Sequence, residues 1–172
     1  KVKFNVDYNT GEEKISAAWT TSGRNIIINA WNHVVLTYSG TSTANDPVMI
    51  INGVNRSITE NTEPEGDMYS DASHNLLIGN NHNGSKTFDG HIQHLALWKA
   101  TSLSLANAQA IYNSGKPAGI EAVTSTSELV FWLPMNHGAD GDDKLIDKSG
   151  NGVVTTVTTA PAWSSVTPTQ AS

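Results

Sequence analysis

The sequence predicts an all-β protein, a sandwich of two antiparallel sheets made of short strands with one short helix added. Three observations predict it. Of the 172 residues only 15% are charged while 14 are glycine, a balance that suits strands and turns better than long solvated helices. Apolar and polar residues alternate with period two in several short runs, as in strands with one buried face. Asn52-Gly53 stands between two apolar runs, the strongest short-range hairpin signal. The length suits one domain with a core of its own.

Taken in order, Val2 to Tyr8 alternates and meets the turn signal Asn9-Thr10-Gly11, giving a half-buried strand and its turn. Ile15 to Trp19 and Asn25 to Ile28 read as further strands around Thr21-Ser22-Gly23. Trp31 to Tyr38 is the strongest β segment. After a polar loop from Ser39 to Asp46, Val48 to Ile51 and Val54 to Ile58 form the Asn-Gly hairpin. Thr59 to Ser73 is acidic, turn-rich and aperiodic, and is expected to be a long surface loop. Asn75 to Gly79 reads as a short buried strand, Asn80 to Lys86 as a polar loop, and Ile92 to Trp98 as a strand whose register needs a bulge near Gln93 and His94. Ser104 caps a helix over Leu105 to Tyr112 that stops at Gly115. Leu129 to Leu133 is a buried strand, Val153 to Thr158 a last one, and residues 161–172 form a Ser/Thr/Pro-rich linker or tail after a domain over 1–160.

Charge narrows the partners. The net charge is −6 and no basic run occurs, so nothing would neutralise the phosphates of a nucleic acid or hold an anionic membrane surface. No stretch approaches the ~20 apolar residues of a spanning helix, and Lys1-Val2-Lys3-Phe4 runs at once into polar residues, unlike a signal peptide. Cysteine is absent, which removes disulfide and thiolate chemistry.

The order Trp31 to Tyr38, Val48 to Val54, Leu77-Ile78-Gly79, Phe88-Asp89-Gly90-His91-Ile92 and Leu103-Ser104 resembles the laminin-G-like, concanavalin A-like family over most of Val2 to Gly115. The resemblance implies a two-sheet jelly roll. Ile111 to Pro117, then Leu129 to Trp132 and Asp147-Lys148-Ser149-Gly150-Asn151-Gly152, is similar to laminin-G-like domains in tailed-phage structural proteins. Two departures stand out. Where the family commonly has an acidic residue after the strand at Gly90, this chain has Gln93, and family domains usually begin with strands upstream of the segment at Lys1. Either upstream strands are missing or the strands from Leu129 and Val153 complete the sheets.

Candidate sites follow. Cleavage of a glucan on this fold needs alternating carboxylates on one strand, whereas Glu12, Glu13, Glu60, Glu63, Glu65, Asp142 and Asp143 are expected in turns and loops, so no catalytic residue is assigned. His91 and His94, three apart, point to opposite faces of a regular strand. A zinc site there would need the bulge to turn the two together, whereas calcium suits oxygen-rich loops, with Asp147 and Asn151, Asp89, and Asn80 to Asn83 as candidates; Asx turns explain the same residues without metal. Of five tryptophans, Trp19, Trp31, Trp98 and Trp132 fall in strand patterns and Trp163 outside them, so Trp163 and the loop residues Asn80, Asn81, His82 and Asn83 are the binding candidates, with Thr59 to Ser73 as a second contact surface. The expected function is a non-catalytic structural or adhesive domain at a virion surface, in a capsid decoration or fibre, whose partners are other virion proteins or its own copies. The alternatives are a secreted or cell-surface module that binds surface glycan and, less favoured, a glycoside hydrolase fragment.

Overall fold

A computed structural model describes residues 1–100, 102–115, 120, 128–135 and 145–156. Among these residues the fold is β1 (Lys3–Asn9), β2 (Lys14–Thr21), β3 (Val34–Thr37), β4 (Val48–Ile51), β5 (Val54–Arg56), β6 (Ile58–Thr62), β7 (Asp67–Met68), β8 (Leu95–Trp98), α1 (Leu105–Tyr112) and β9 (Leu129–Leu133). Every strand pairing is antiparallel. The predicted mostly-β sandwich with one short helix is what forms. The chain divides into two compact units, one from Lys1–Ser70 with the described part of 102–124, the other from the described parts of 71–101 and 125–167.

The first unit is a two-sheet sandwich. One sheet has the order β6-β2-β1-β7 and the other β3-β4-β5. Period-two patterning decides what each buries: Phe4, Val6 and Tyr8 of β1 lie opposite Trp19, Ala17 and Ile15 of β2, and all face the core with Met49 and Leu36 of the second sheet. Trp19 is wholly buried and packs against Phe4 and Tyr38, with ring centroids 5.9 and 5.4 Å away. Its indole N–H donates to Asp46 Oδ1 at 2.7 Å, so the buried donor is satisfied. The hydroxyls of Tyr8 and Tyr38 hydrogen-bond to each other, and burial followed by that bond pushes the Tyr38 phenol well above its ordinary pKa. Thr21, the buried polar residue of the core, accepts from the Val2 amide at 3.1 Å.

The Asn52-Gly53 hairpin forms as expected, with both residues at positive φ, +53° and +72°, the type I′ signature. Helix α1 docks on this turn. Gln109 donates to Gly53 O at 2.9 Å, Tyr112 stacks on His33 at 5.6 Å, and burial pushes the His33 imidazole below its ordinary pKa, favouring the neutral ring. Ser104 caps the helix by accepting from the Asn107 amide, and Ala108 and Ile111 supply its buried face. The helix stops earlier than Gly115, because Asn113 takes the left-handed conformation and its N–H bonds Gln109 O; a 3-10 turn then runs over Asn113–Gly115.

Elsewhere the sequence reading needs correction. Asn25 to Ile28 is not a strand: the Asn32 amide brackets it, accepting from Ile27 N and donating to Ile27 O and Ala30 O, and Ile28 is 82% exposed. The strand expected over Trp31 to Tyr38 contracts to β3. Val54 to Ile58 breaks at Ser57, where the chain leaves one sheet for the other and Ser57 O accepts from Ser22 N. Thr59 to Ser73 is no simple loop, because β6 pairs with β2 and β7 with β1. Asn75 to Gly79 has no ladder partner among the described residues, and Leu76 is 66% exposed. In the second unit β8 begins only after His94, whose φ of +54° turns the chain, and the register shift falls between Leu97 and Trp98 instead of near Gln93. Its partner is β9 in a two-stranded sheet, so the strand from Leu129 adds to neither sheet of the first unit among the described residues, and residues 153–156 are not a strand. Trp31, Trp98 and Trp132 are half-buried, and only Trp19 of the described tryptophans is a full core residue. Trp163, His137, Asp142, Asp143, residues 157–158 and the proposed tail lie outside the described residues.

Two substitutions test this packing. Gly53→Ala forces a side chain to positive φ and brings its Cβ within 3.1 Å of Tyr112 Cδ1, so the melting temperature is expected to fall by the equivalent of about 1–2 kcal/mol. Asp46→Ala leaves the buried Trp19 N–H without its acceptor and is expected to lower stability in urea by about 1–3 kcal/mol, while Asp46→Asn, which keeps an acceptor oxygen, is expected to cost less.

Candidate functional site

The Asp147-Lys148-Ser149-Gly150-Asn151-Gly152 segment forms a polar site bonded to β9. Asp147 Oδ1 accepts from the Trp132 and Ser149 amides, each at 2.9 Å. Its Oδ2 accepts from Ser149 Oγ at 2.8 Å and the Val153 amide at 3.0 Å. Burial alone would raise the Asp147 pKa, but these four donors outweigh it and hold the carboxyl down at about 2. Asn151 works from the other side, its Nδ2 donating to Leu129 O at 2.5 Å and Val130 O at 3.2 Å. Gly150 and Gly152, both at positive φ, let the backbone turn tightly enough to aim these groups. Side chains thus take up Trp132 N–H and the Leu129 and Val130 carbonyls, while the Lys148 N–H bonds Trp132 O at 2.8 Å.

The Asn80 to Lys86 loop is also self-contained. Asn80 Oδ1 accepts from the Asn81 and Lys86 amides, Asn81 Oδ1 from the Ser85 and Lys86 amides, and Asn83 Oδ1 from Ser85 N and Oγ. Asn80 Nδ2 donates to Thr87 Oγ1 at 3.0 Å. These are nested Asx turns, so the amide oxygens that could meet a cation already accept hydrogen bonds. Asn80, Asn81, Asn83 and His82 sit on the exposed or half-exposed surface of that loop, and Asp89 is exposed a short way along the chain. Asp147 and Asn151 come together at β9; no group of three or more His, Asp or Glu side chains placed to hold a metal ion occurs among the described residues.

Sequence reasoning missed two features of the first unit. Glu60 lies on β6 opposite Trp19, not in a loop. Burial first, then the charges of Asp46 and Glu63, push its carboxyl above the ordinary value against the opposing pull of the Trp19 indole. The only signal was Ile58 two residues earlier, too short a run to mark a strand. The second feature is an open cleft of ≈ 570 Å³ lined by Asn9–Gly11 and Gly66–Ser70. Tyr69 stands in it 45% exposed, Lys14 Nζ lies 4.9 Å from the Tyr69 ring centroid, and the same ammonium pairs with Asp7 at 2.8 Å. Lys14 holds the Asp7 carboxyl below its usual range, and Asp7 raises Lys14 in turn. One wall of the cleft, Gly66–Ser70, belongs to the Thr59 to Ser73 stretch that the sequence marks as a contact surface, and the other, Asn9–Gly11, is the turn after β1.

Among the described residues no helix is long and apolar enough to cross a membrane. A family model described as concanavalin A-like lectin/glucanases superfamily, of the laminin-G-like type, matches residues 1–109, more than half of the chain. Searches of curated proteins and of solved structures found no match.

Because its folded pKa lies below the ordinary 3.8, Asp147 contributes stability that is fully present above that value and is lost as pH falls toward about 2. Acid unfolding followed by circular dichroism is expected to show this loss in the native protein and a shallower acid slope in Asp147→Asn, which is less stable at neutral pH.

Proposed function

The chain belongs to the concanavalin A-like lectin/glucanases superfamily, and from that premise we propose that it is a non-catalytic binding module displayed outside the cell. Laminin-G-like domains generally bind and do not cleave, although the wider superfamily includes hydrolases. The observation that carries the reading is how the polar side chains are used. Asp147, Asn151, Asn80 and Asn81 hold strands and loops in place, and no strand among the described residues alternates carboxylates in the way glucan cleavage needs. What remains for a partner is rigid scaffold with shaped, exposed loops.

In the finer reading the module sits on a virion surface, in a capsid decoration or fibre, and binds other virion proteins, its own copies or a host surface. The sequence resemblance read at Ile111 to Pro117, Leu129 to Trp132 and Asp147 to Gly152 is what supports it. Calcium, if used, would have to compete with backbone donors at Asp147 and in the Asn80 to Lys86 loop, so the contacts are proposed to form without a resident metal. Copy counting by mass spectrometry of purified particles is expected to find the chain many times per virion; its absence contradicts the virion reading.

One observation favours a second reading, a glycan-binding module. The Tyr69 cleft combines an exposed aromatic ring with Asn, Thr, Ser and Asp groups, the mixture that stacks on a sugar face and bonds its hydroxyls. On a glycan array this reading expects binding that Tyr69→Ala weakens by about tenfold or more, the loss of one well-placed aromatic contact. An array without binders, or binding indifferent to Tyr69, contradicts it.

A further inference from the structure

Three Asn-Gly pairs occur in the sequence, Asn52-Gly53, Asn83-Gly84 and Asn151-Gly152. In an extended chain they are equivalent, since a glycine without Cβ lets its backbone nitrogen approach the carbonyl of the preceding side chain. The folded structure separates them. Asn52 is held at both ends of its amide, Oδ1 by the His33 N–H at 2.8 Å and Nδ2 by Asn32 Oδ1 at 3.2 Å, inside the hairpin. Asn151 Nδ2 is fixed to two carbonyls of β9. Either side chain can swing toward its glycine only if a strand contact more than a dozen residues away in sequence breaks.

Asn83 has no such anchor. Its hydrogen bonds all lie within an exposed loop, with Ser85, and its Nδ2 donates to none of the described residues. Gly84 N–H bonds Asn81 O at 3.1 Å, again within the loop, and nothing lies within 4 Å of where a Gly84 Cβ would be. Ser85 supplies the chemistry: its hydroxyl donates to Asn83 Oδ1 at 2.5 Å and its N–H, shared with Asn81 Oδ1 at 2.9 Å, reaches the same oxygen at 3.1 Å, where negative charge would gather if a nucleophile added to Cγ.

We propose that Asn83 is a self-modification site, closing with Gly84 to a succinimide that water opens to aspartate or isoaspartate. Gly84 N gives its proton to a solvent base and attacks Asn83 Cγ. The new C–N bond leaves an oxyanion on Oδ1 under the two Ser85 donors. Its collapse breaks the Cγ–Nδ2 bond, and the nitrogen leaves as ammonia after taking a proton from water. Water then adds to either ring carbonyl. The balance is one water consumed and one ammonia released, with no redox change. The product places a carboxylate in the Asn80 to Lys86 loop, and the isoaspartate form lengthens its backbone by one carbon, so the reaction reshapes a surface counted among the candidate contacts.

The test follows the intact, folded chain at mildly alkaline pH by peptide mapping, with each site's rate divided by its rate in denaturant. The peptide containing Asn83 is expected to gain the amide-to-acid mass change and split into aspartate and isoaspartate forms about tenfold or more ahead of those containing Asn52 and Asn151, because only its loop opens locally. Ser85→Ala is expected to slow the folded-state reaction by roughly 2- to 10-fold, the worth of one hydrogen bond, with little change in denaturant. Conversion of Asn52 or Asn151 at the same or a higher normalised rate overturns the proposal, as does a Ser85→Ala chain that reacts as fast as the native one when folded.

Discussion

The first unit is organised by one constraint: the Trp19 indole is removed from water completely, and its N–H must still find an acceptor. The apolar part of that requirement is met by Phe4 and Tyr38, whose rings also meet each other at 5.4 Å, with Met49 from the opposing sheet. The polar part is met by Asp46, which sits at the end of the polar loop before β4 and so ties that loop to the core. A buried aromatic of this size exceeds the contribution of any single surface contact. The strand order around it follows. β1 and β6 flank β2 because Trp19 lies on β2, and the chain leaves the second sheet at Ser57 to supply β6.

A second theme is the use of short polar side chains where ladders run out. Asn32 closes the turn after β2, Asn52 joins the hairpin to the His33 backbone, Asp147 and Asn151 cover β9, and the Asn80 to Lys86 loop is stitched by its own amides. Each bond satisfies a backbone group, and such bonds hold these loops in shape without ion pairs. It also explains why the Asp- and Asn-rich segments look like cation sites in sequence: side-chain oxygens beside glycines suit both purposes.

What could be read from the sequence divides along the same line. β1, β2, the Asn52-Gly53 hairpin, α1 and β9 were legible because period, cap and turn residues agreed at each. β6 (Ile58–Thr62) was hidden because no apolar residue follows Ile58 to mark a period and Glu60 and Asn61 disfavour strands, a local preference that pairing with β2 overrides. Conversely, Asn25 to Ile28 and Leu76 to Gly79 have strand-like side chains and form none, since a strand needs a neighbour that sequence periodicity cannot name. At the candidate sites, the residue types around Asp147 were visible beforehand, but not that four donors already occupy its oxygens. The Tyr69 cleft was invisible for a related reason: it is made where β7 meets the turn after β1, residues nearly sixty apart.

The functional account rests on rigid strands around Trp19 in the first unit and, in the second unit, polar loops that open far more readily. Native-state hydrogen exchange measures this directly. The account predicts that amides of β1, β2 and β4 facing one another near Trp19 and Met49 exchange only through global unfolding, while those of the Asn80 to Lys86 loop exchange through local opening at much lower free energy. Exchange of the β1 and β2 amides as fast as the loop's would contradict it.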